Sequence, residues 1–544
     1  MANQRELGHK TSVFFLTFFS YAFFHANRKA FSNVKTSTGE VWTPSLHNSS
    51  IPAPKPDYLW NSHHFFANSD EVVKFQGILD TSFMVAYATG LFLNGYIGDR
   101  VNMRLLLSFG MASTSILVFV FGCVCEWVTF YNKYFYCIIW ILNGLMQSTG
   151  WPVVVACMGN WFGKSSRGLL LGIWGSCASV GNIMGALLVS SVLSYGYQYA
   201  FLITSSVLLC GSFFVFFGLI PAPEDVGLKG PDDEITYHSQ EQGSEQREPL
   251  LGEEEDIRLP RGNNNLSQDE DDEVMQGIFY RGDNRLKNPS ASDVSSASQE
   301  VMYDLMDVRP TSLSFWKACL LPGVIPYALS YAFLKLVNYS FFFWLPYYLH
   351  NAFGWPEKVA DQLSTVYDIS GIVGSIFIGL ASDWLGKRTV VIMPMLILSI
   401  PALWFYQFSP NDKMINSVLM AVVGFFTGGV SSLISSAVSA DLGCQKELSG
   451  DDKALATVTG VIDGTGSFGA AVGQIAVPYL QTSLGWHSVF YLFMICIFLT
   501  AVCVFPVFVK ELRSLRCFCF RSCFIICGAQ VQTHSHIQKY EEDE

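Results

Sequence analysis

Gly95-Tyr-Ile-Gly-Asp99-Arg100-Val-Asn-Met-Arg104 and Gly379-Leu-Ala-Ser-Asp383-Trp-Leu-Gly386-Lys387-Arg388 share one pattern: a glycine, three residues, an aspartate, then basic residues. Each follows the second long apolar stretch of a set of six. Glycine lets two helices approach closely. An aspartate at a membrane edge can pair with a basic group or with a neighbouring helix N-terminus, and so latch one arrangement. One copy alone is also what a generic turn with a snorkelling basic cluster looks like. Two copies in register divide the chain into repeating halves. They mark Gly95, Asp99, Arg100, Gly379, Asp383, Lys387 and Arg388 as candidate conformational residues.

Working outward, apolar runs of membrane-spanning length cover 105–124, 136–157, 199–220, 324–348, 389–408 and 488–509. Less purely apolar runs cover 11–26, 74–97, 168–192, 364–382, 416–437 and 454–476. About 20 apolar residues in a helix cross a bilayer core. Only 14% of the 544 residues are charged, against about 25% in soluble chains, and the mean hydropathy is +0.32. The reading is an all-α membrane protein with about twelve transmembrane helices in two pseudo-symmetric halves. Its expected parts are 1–223, a linker 224–315, 316–512, and a tail 513–544.

The net charge of -12 is concentrated in one place. Residues 224–308 hold 22 acidic and 7 basic residues, which leaves the rest of the chain at +3. That segment is poor in aromatics and rich in Asp, Glu, Ser, Asn and Gln, a composition that cannot bury enough apolar surface to order itself. An acidic exposed part excludes nucleic acid as a partner. No paired-carboxylate cleft, metal-spaced His/Cys set or nucleophile elbow is present, so no enzyme, cofactor or metal is expected. The 14 cysteines form no disulfide framework. Cys517, Cys519, Cys523 and Cys527, beside Arg513, Arg516 and Arg521, read as a palmitoylation cluster or as a reduced, unmodified tail. The first apolar run has no cleavage site and reads as a retained helix.

Lys and Arg gather in the short loops of one side, at Arg100, Arg104, Lys164, Arg167, Lys387, Arg388, Lys446 and Lys453. The opposite loops hold little beyond Lys133, Lys358 and Lys413. The positive-inside rule makes the first side cytosolic, with both termini and 224–315. The loop after the first helix (27–73) is then lumenal or extracellular, where Asn48-Ser49-Ser50 is a glycosylation sequon.

Charge inside a spanning segment is costly, so each instance is a functional candidate. In the first segment Tyr21, His25 and Arg28 fall on one helical face. The planar donor fork of Arg fits two oxygens of a phosphoryl group. The alternative is that Arg28 and Lys29 snorkel to the surface. Asp80, Asp368 and Asp463 could pair with Lys335 or Arg28 or carry a coupled proton, or each could simply hydrogen-bond a neighbouring helix. The last reading is preferred for Asp463, which lies in a glycine-rich stretch.

The paired loops resemble the major facilitator signature. Four further stretches resemble the organophosphate:phosphate antiporters, and among them the sugar phosphate exchangers. They are Tyr21-x6-Arg28-Lys29-x-Phe31-Ser32; Asn143-Gly-Leu-Met-Gln147-Ser-Thr-Gly150-Trp151-Pro152; Lys335-Leu-Val-Asn338-Tyr-Ser-Phe-Phe-Phe-Trp344; and Thr457-Val-Thr-Gly460-Val-Ile-Asp463-Gly464-Thr-Gly466. The resemblance implies exchange of phosphate esters or phosphate, with Arg28 on the phosphoryl group. Lys29, Tyr21, His25, Trp151, Lys335 and Asn338 would stand around it. It also implies a cargo site near mid-membrane between the halves. Three positions depart from that pattern: Asn338 stands where a second basic residue is usual, Cys177 where a histidine is, and Leu91 where some relatives have a lysine. Lys335, one turn before Asn338, could supply the missing charge.

The expectation is therefore a secondary transporter of small phosphorylated or polyanionic solutes, with phosphate or a proton as counter-ion. The alternatives are a proton-linked exporter of such anions, phosphonate-like ones included, from lysosomes, and a non-transporting membrane partner or sensor. Leu250-Leu251, in Gln246-Arg-Glu248-Pro249-Leu250-Leu251, resembles an acidic dileucine signal and favours endosomes or lysosomes over the endoplasmic reticulum. The same pair could arise by chance in such a loop. The lipid bilayer is the one certain partner, and the sequence names no accessory membrane subunit.

Overall fold

The structure, a computed structural model, describes residues 2–43, 66, 68–98, 100–162, 170, 173–228, 315–443 and 455–541. Twelve long helices run through them. In the first half these are α1 (Ala2–Asn33), α2 (Ser69–Gly98), α3 (Met103–Trp127), α4 (Lys133–Trp161), α5 (Ile173–Tyr195) and α6 (Tyr197–Gly218). In the second they are α7 (Val324–Phe353), α8 (Glu357–Leu385), α9 (Thr389–Tyr406), α10 (Lys413–Gly443), α11 (Leu455–Leu484) and α12 (Trp486–Glu541).

Local chemistry sets the boundaries. Asn102 accepts from the Arg104 and Leu105 amides, Asn132 from Phe135 and Asp412 from Ile415, so each caps the helix that follows it. Gly354 and Gly386, at φ +69° and +62°, end α7 and α8 in the left-handed conformation that favours glycine. Among the described residues, nine helices are long and apolar enough to cross a membrane by length and composition. The other three are α1, α2 and α11, which carry Arg28 and Lys29, Asp80, and Asp463. Exposed Phe109, Leu187, Phe217, Val373, Phe405 and Tyr479 form the outer, lipid-type surface.

Packing follows the repeat. α1 lies on α5, α2 on α4 and α3 on α6; in the second half α7 lies on α11, α8 on α10 and α9 on α12. The halves meet through α2 with α11, α5 with α8, and α1 with α7. Exchanging the halves turns the first of these pairs into the second, as a two-fold pseudo-symmetry requires. Gly95 is one of the close α2–α11 approaches. A Cβ there would lie 2.8 Å from the Ala456 carbonyl oxygen and 3.2 Å from Gly460 Cα.

One expectation changes. Residues 27–73 do not begin as a loop: α1 runs to Asn33, and a short helix, Lys35–Trp42, continues it. Arg28 and Lys29 are therefore core residues, 4% and 2% exposed, and do not snorkel. Asp99, Asn48, Leu250, Leu251 and the linker from 229 to 314 lie outside the described residues, as do the side chains of the tail cysteines.

Candidate functional site

Arg28 points from α1 into the space between the halves. Its Nε donates to Gln147 Oε1 of α4 at 2.9 Å, and its Nη1 to the Tyr339 hydroxyl of α7 at 3.0 Å. The guanidinium carbon lies 4.4 Å from the Tyr87 ring centroid and 5.3 Å from that of Phe83, an aromatic seat that suits a delocalised cation. Nη2 is buried and has no hydrogen-bond partner among the described residues. No carboxylate pairs with Arg28 among the described residues, so its charge is stabilised only by dipoles and ring faces.

Lys335 of α7 sits beside it and does have a carboxylate. Its Nζ lies 2.6 Å from Asp463 Oδ1 and 2.8 Å from Ser467 Oγ, both on α11. Of the three carboxylates that could pair with Lys335, Asp80, Asp368 and Asp463, the structure brings Asp463 to it, which makes Asp463 an ion-pair partner as well as part of a glycine-rich packing stretch. The neighbouring glycine has a purpose here: a Cβ at Gly466 would fall 2.4 Å from the Tyr331 ring and 3.0 Å from Lys335 Cδ. A side chain there would crowd the Tyr331 ring and the lysine stem.

Asp80 pairs instead with Lys35, at 2.5 Å, and the Lys35 ammonium stands 3.3 Å from the Trp344 ring centroid of the other half. Asp368 of α8 accepts from Asn182 Nδ2 at 2.7 Å, and Asn182 Oδ1 lies 2.9 Å from His25 Nδ1. Lys29 Nζ donates to the Phe342 carbonyl at 2.6 Å. Asn338 faces inward, but its amide is engaged: Tyr367 donates to its Oδ1 at 2.5 Å, and its Nδ2 reaches the Leu334 and Thr427 carbonyls. The Tyr21 ring packs on Trp151, with centroids 4.6 Å apart.

These groups surround a cavity of about 110 Å³ whose wall includes Tyr21, His25, Lys29, Trp151, Asn338 and Asp463. Neither Arg28 nor Lys335 belongs to that wall. Each is held by a residue that does: Arg28 by Tyr339, Lys335 by Asp463. The cavity is flanked by contacts that join the two halves. Besides Arg28–Tyr339 and Asn182–Asp368, Ser32 donates to the Phe342 carbonyl, and the Ser37 amide and hydroxyl donate to Glu357.

The two loop signatures differ. In the second, Arg388 donates to Asp383 Oδ1 at 2.8 Å, to Ser382 and to Asp441 Oδ2 at 3.0 Å, joining α8, α9 and α10. Burial works against this charge, but the carboxylates more than offset it and hold the guanidinium above its ordinary range. Lys387 lines a separate cavity of about 440 Å³ at this end, with Lys510 and Glu511. In the first signature, Arg100 folds back onto its own helix, donating to the Tyr96 carbonyl and stacking on its ring. Gly379 is buried in α8.

The sequence reading missed Gln147, Tyr87, Tyr339 and Asn182 as contacts, and Lys35 and Asp361 altogether. Gln147 and Tyr339 stand inside motifs already singled out. Lys35 follows Arg28 by two helical turns, a signal hidden by treating that stretch as loop. No group of three or more metal-ligating side chains occurs among the described residues.

A two-fold pseudo-symmetric bundle with a charged cavity between its halves defines a membrane transporter. Residues 14–451 match the Major Facilitator Superfamily, and the chain belongs to that superfamily, within its sugar phosphate exchangers. It is 51% identical over 507 residues to sugar phosphate exchanger 3 of Xenopus laevis, covering 93% of each chain. It is 35% identical over 518 residues to a glucose-6-phosphate exchanger of Xenopus tropicalis, covering 94% of this chain and 95% of that one. The proton:xylose symporter XylE of E. coli, solved with 6-bromo-6-deoxy-D-glucose, shares the fold. Its TM-score is 0.59 at 12% identity, covering 92% of this chain and 96% of that one.

Proposed function

We propose that this protein is a secondary transporter of small phosphorylated or otherwise polyanionic organic solutes, working by alternating access. The observation that carries the reading is Arg28, a buried guanidinium between the halves with no carboxylate partner and an unsatisfied Nη2. A buried donor left unpaired is costly, and a phosphoryl oxygen would satisfy it. Tyr339, which accepts from Arg28 Nη1 and lines the cavity, belongs to the other half, so an anion bound beside this contact draws on both halves. The names of the relatives, exchangers of sugar phosphates and of glucose 6-phosphate, agree with this cargo class.

A second reading, proton-linked export of such anions, phosphonate-like ones included, is favoured by one specific observation. Asn338, at the position of the usual second cation, is bonded to Tyr367 and Thr427. The address we propose is lysosomal or endosomal, with both termini and 224–315 cytosolic, Asn48 glycosylated and Leu250-Leu251 as the sorting signal. The linker 224–315 and tail 513–544 then stand outside the transport core.

Uptake into proteoliposomes tests the function. Glycerol 3-phosphate, glucose 6-phosphate and a bisphosphonate are offered with and without internal phosphate or a pH gradient. Saturable uptake of at least one anion, with free glucose excluded, is expected. Transport of glucose and of no phosphorylated compound would overturn the reading.

A further inference from the structure

We propose that Asp361 and Asp368 of α8, together with Lys29 of α1, bind a proton that moves with the cargo. The proposal rests on the transport reading and adds its driving ion.

Asp361 is fully buried, and neither of its carboxylate oxygens has a hydrogen-bond partner among the described residues. An ionised carboxylate is very costly in such a place, so the acid form is the one this position suits. The cation at hand is Lys29, which shares the cavity wall with Asp368, and Asp361 lies two turns before Asp368 on the same face of α8. Its ammonium is bonded to the Phe342 carbonyl and lies in no ion pair within 4.0 Å among the described residues. Two carboxylates and one ammonium form a neutral set only when they hold one extra proton.

The set is connected in both directions. Toward the cavity, Asn182 donates to Asp368, which leaves its carbonyl oxygen to accept from His25 Nδ1. His25 Nε2 is then the bare end of the chain: buried, without a partner among the described residues, in a side chain of the cavity wall. Away from the cavity, Glu357, Asp361 and Asp368 lie within about 40° of one another around α8 at 3.6 residues per turn. Glu357 is half-buried and bonded to Ser37. Other groups do not neutralise the set: Lys35, the next cation along from Lys29, is paired with Asp80, and Glu357, a further carboxylate rather than a cation, is held by Ser37. α5 contributes Asn182, and α9 has no charged side chain. His350 of α7 donates to the Trp355 carbonyl. Lys413 and Asp441 stand at opposite ends of α10, and Lys335 is paired with Asp463.

The step is a simple proton transfer. An O–H bond forms on Asp361 or Asp368 as an O–H bond of hydronium breaks and leaves water, and the carboxyl O–H bond breaks when water on the other side takes the proton and becomes hydronium. Without that proton the set carries a negative charge beside the anion site. Proton and anionic cargo therefore favour each other's binding, and they travel in the same direction.

Two measurements test this on the full-length protein. Infrared difference spectra of purified protein at neutral pH should contain a protonated-carboxyl C=O band that Asp361→Asn removes; Asp361→Glu should shift it. Size-exclusion profiles establish that both variants are folded. An unchanged band in both variants overturns the proposal whether or not any cargo is moved. In proteoliposomes without internal phosphate, one pH unit should drive about tenfold accumulation of glycerol 3-phosphate at one proton per molecule. A trapped pH dye should report the co-moved proton, and Asp361→Asn and Asp368→Asn should bring the accumulation ratio to about one. Wild-type flux that ignores the gradient and moves no proton overturns proton coupling and leaves the transport reading standing. Absence of flux for every phosphorylated compound, with the infrared band present and lost in Asp361→Asn, overturns the transport reading alone.

Discussion

Lys335 Nζ lies 2.6 Å from Asp463 Oδ1, and their side chains are only 1% and 4% exposed. Removing one member of a buried pair leaves an uncompensated charge, at a cost of about 3–5 kcal/mol, whereas replacing both is close to neutral. Lys335→Met and Asp463→Asn should each lower thermal stability and surface abundance, and the double variant should recover most of both. Unfolding midpoints in detergent check this. If Lys335 also serves the cargo, the recovered double variant still fails to transport.

Gly95 separates packing from chemistry. Its missing side chain lets α2 meet α11 at Ala456 and Gly460. Gly95→Val places methyl groups against that backbone, an overpacking cost of about 1–3 kcal/mol. Gly8→Ala, where nothing lies within 4 Å, is the control. The melting temperature should fall for the first and hold for the second.

Ser37 and Glu357 tie the halves together at the face opposite Arg388 through the Ser37 amide and hydroxyl. If alternating access requires that face to open, Ser37→Cys with Glu357→Cys, once oxidised, should abolish flux. Reductant should restore it to the level of the never-oxidised double variant, with Glu357→Cys alone as the control for loss of the carboxylate. Flux that survives complete cross-linking would show that this face does not open.

Much of the fold was legible because the repeat is written in local sequence: apolar length, loop glycines and charge placement. Arg28 was legible too, since an arginine inside an apolar helix has few innocent explanations. The partners were not. Lys335 could pair with any intramembrane carboxylate, and its choice of Asp463 depends on how α11 lies against α7 and on the gap at Gly466. Asp361 went unnoticed because its position near the start of α8 resembles an ordinary first-turn acid, and only packing reveals that both its oxygens are buried and unpartnered. Lys35 was lost to a helix boundary set too early.

The sorting reading makes a separate prediction. Leu250→Ala with Leu251→Ala should move the protein from endolysosomes to the plasma membrane while transport by the purified protein persists. Fluorescence microscopy beside compartment markers checks this, and an unchanged distribution would remove the dileucine from the account.

The most direct test of the central claim is uptake of glycerol 3-phosphate or glucose 6-phosphate by Arg28→Lys against wild type, at matched amounts of folded protein in proteoliposomes. Lysine keeps the charge and loses the fork. Loss of one charge-assisted hydrogen bond costs about 1.5–3 kcal/mol, roughly ten- to a hundredfold in affinity. The account predicts a fall of that size for whichever anion the wild type carries. Uptake by Arg28→Lys equal to wild type would contradict it.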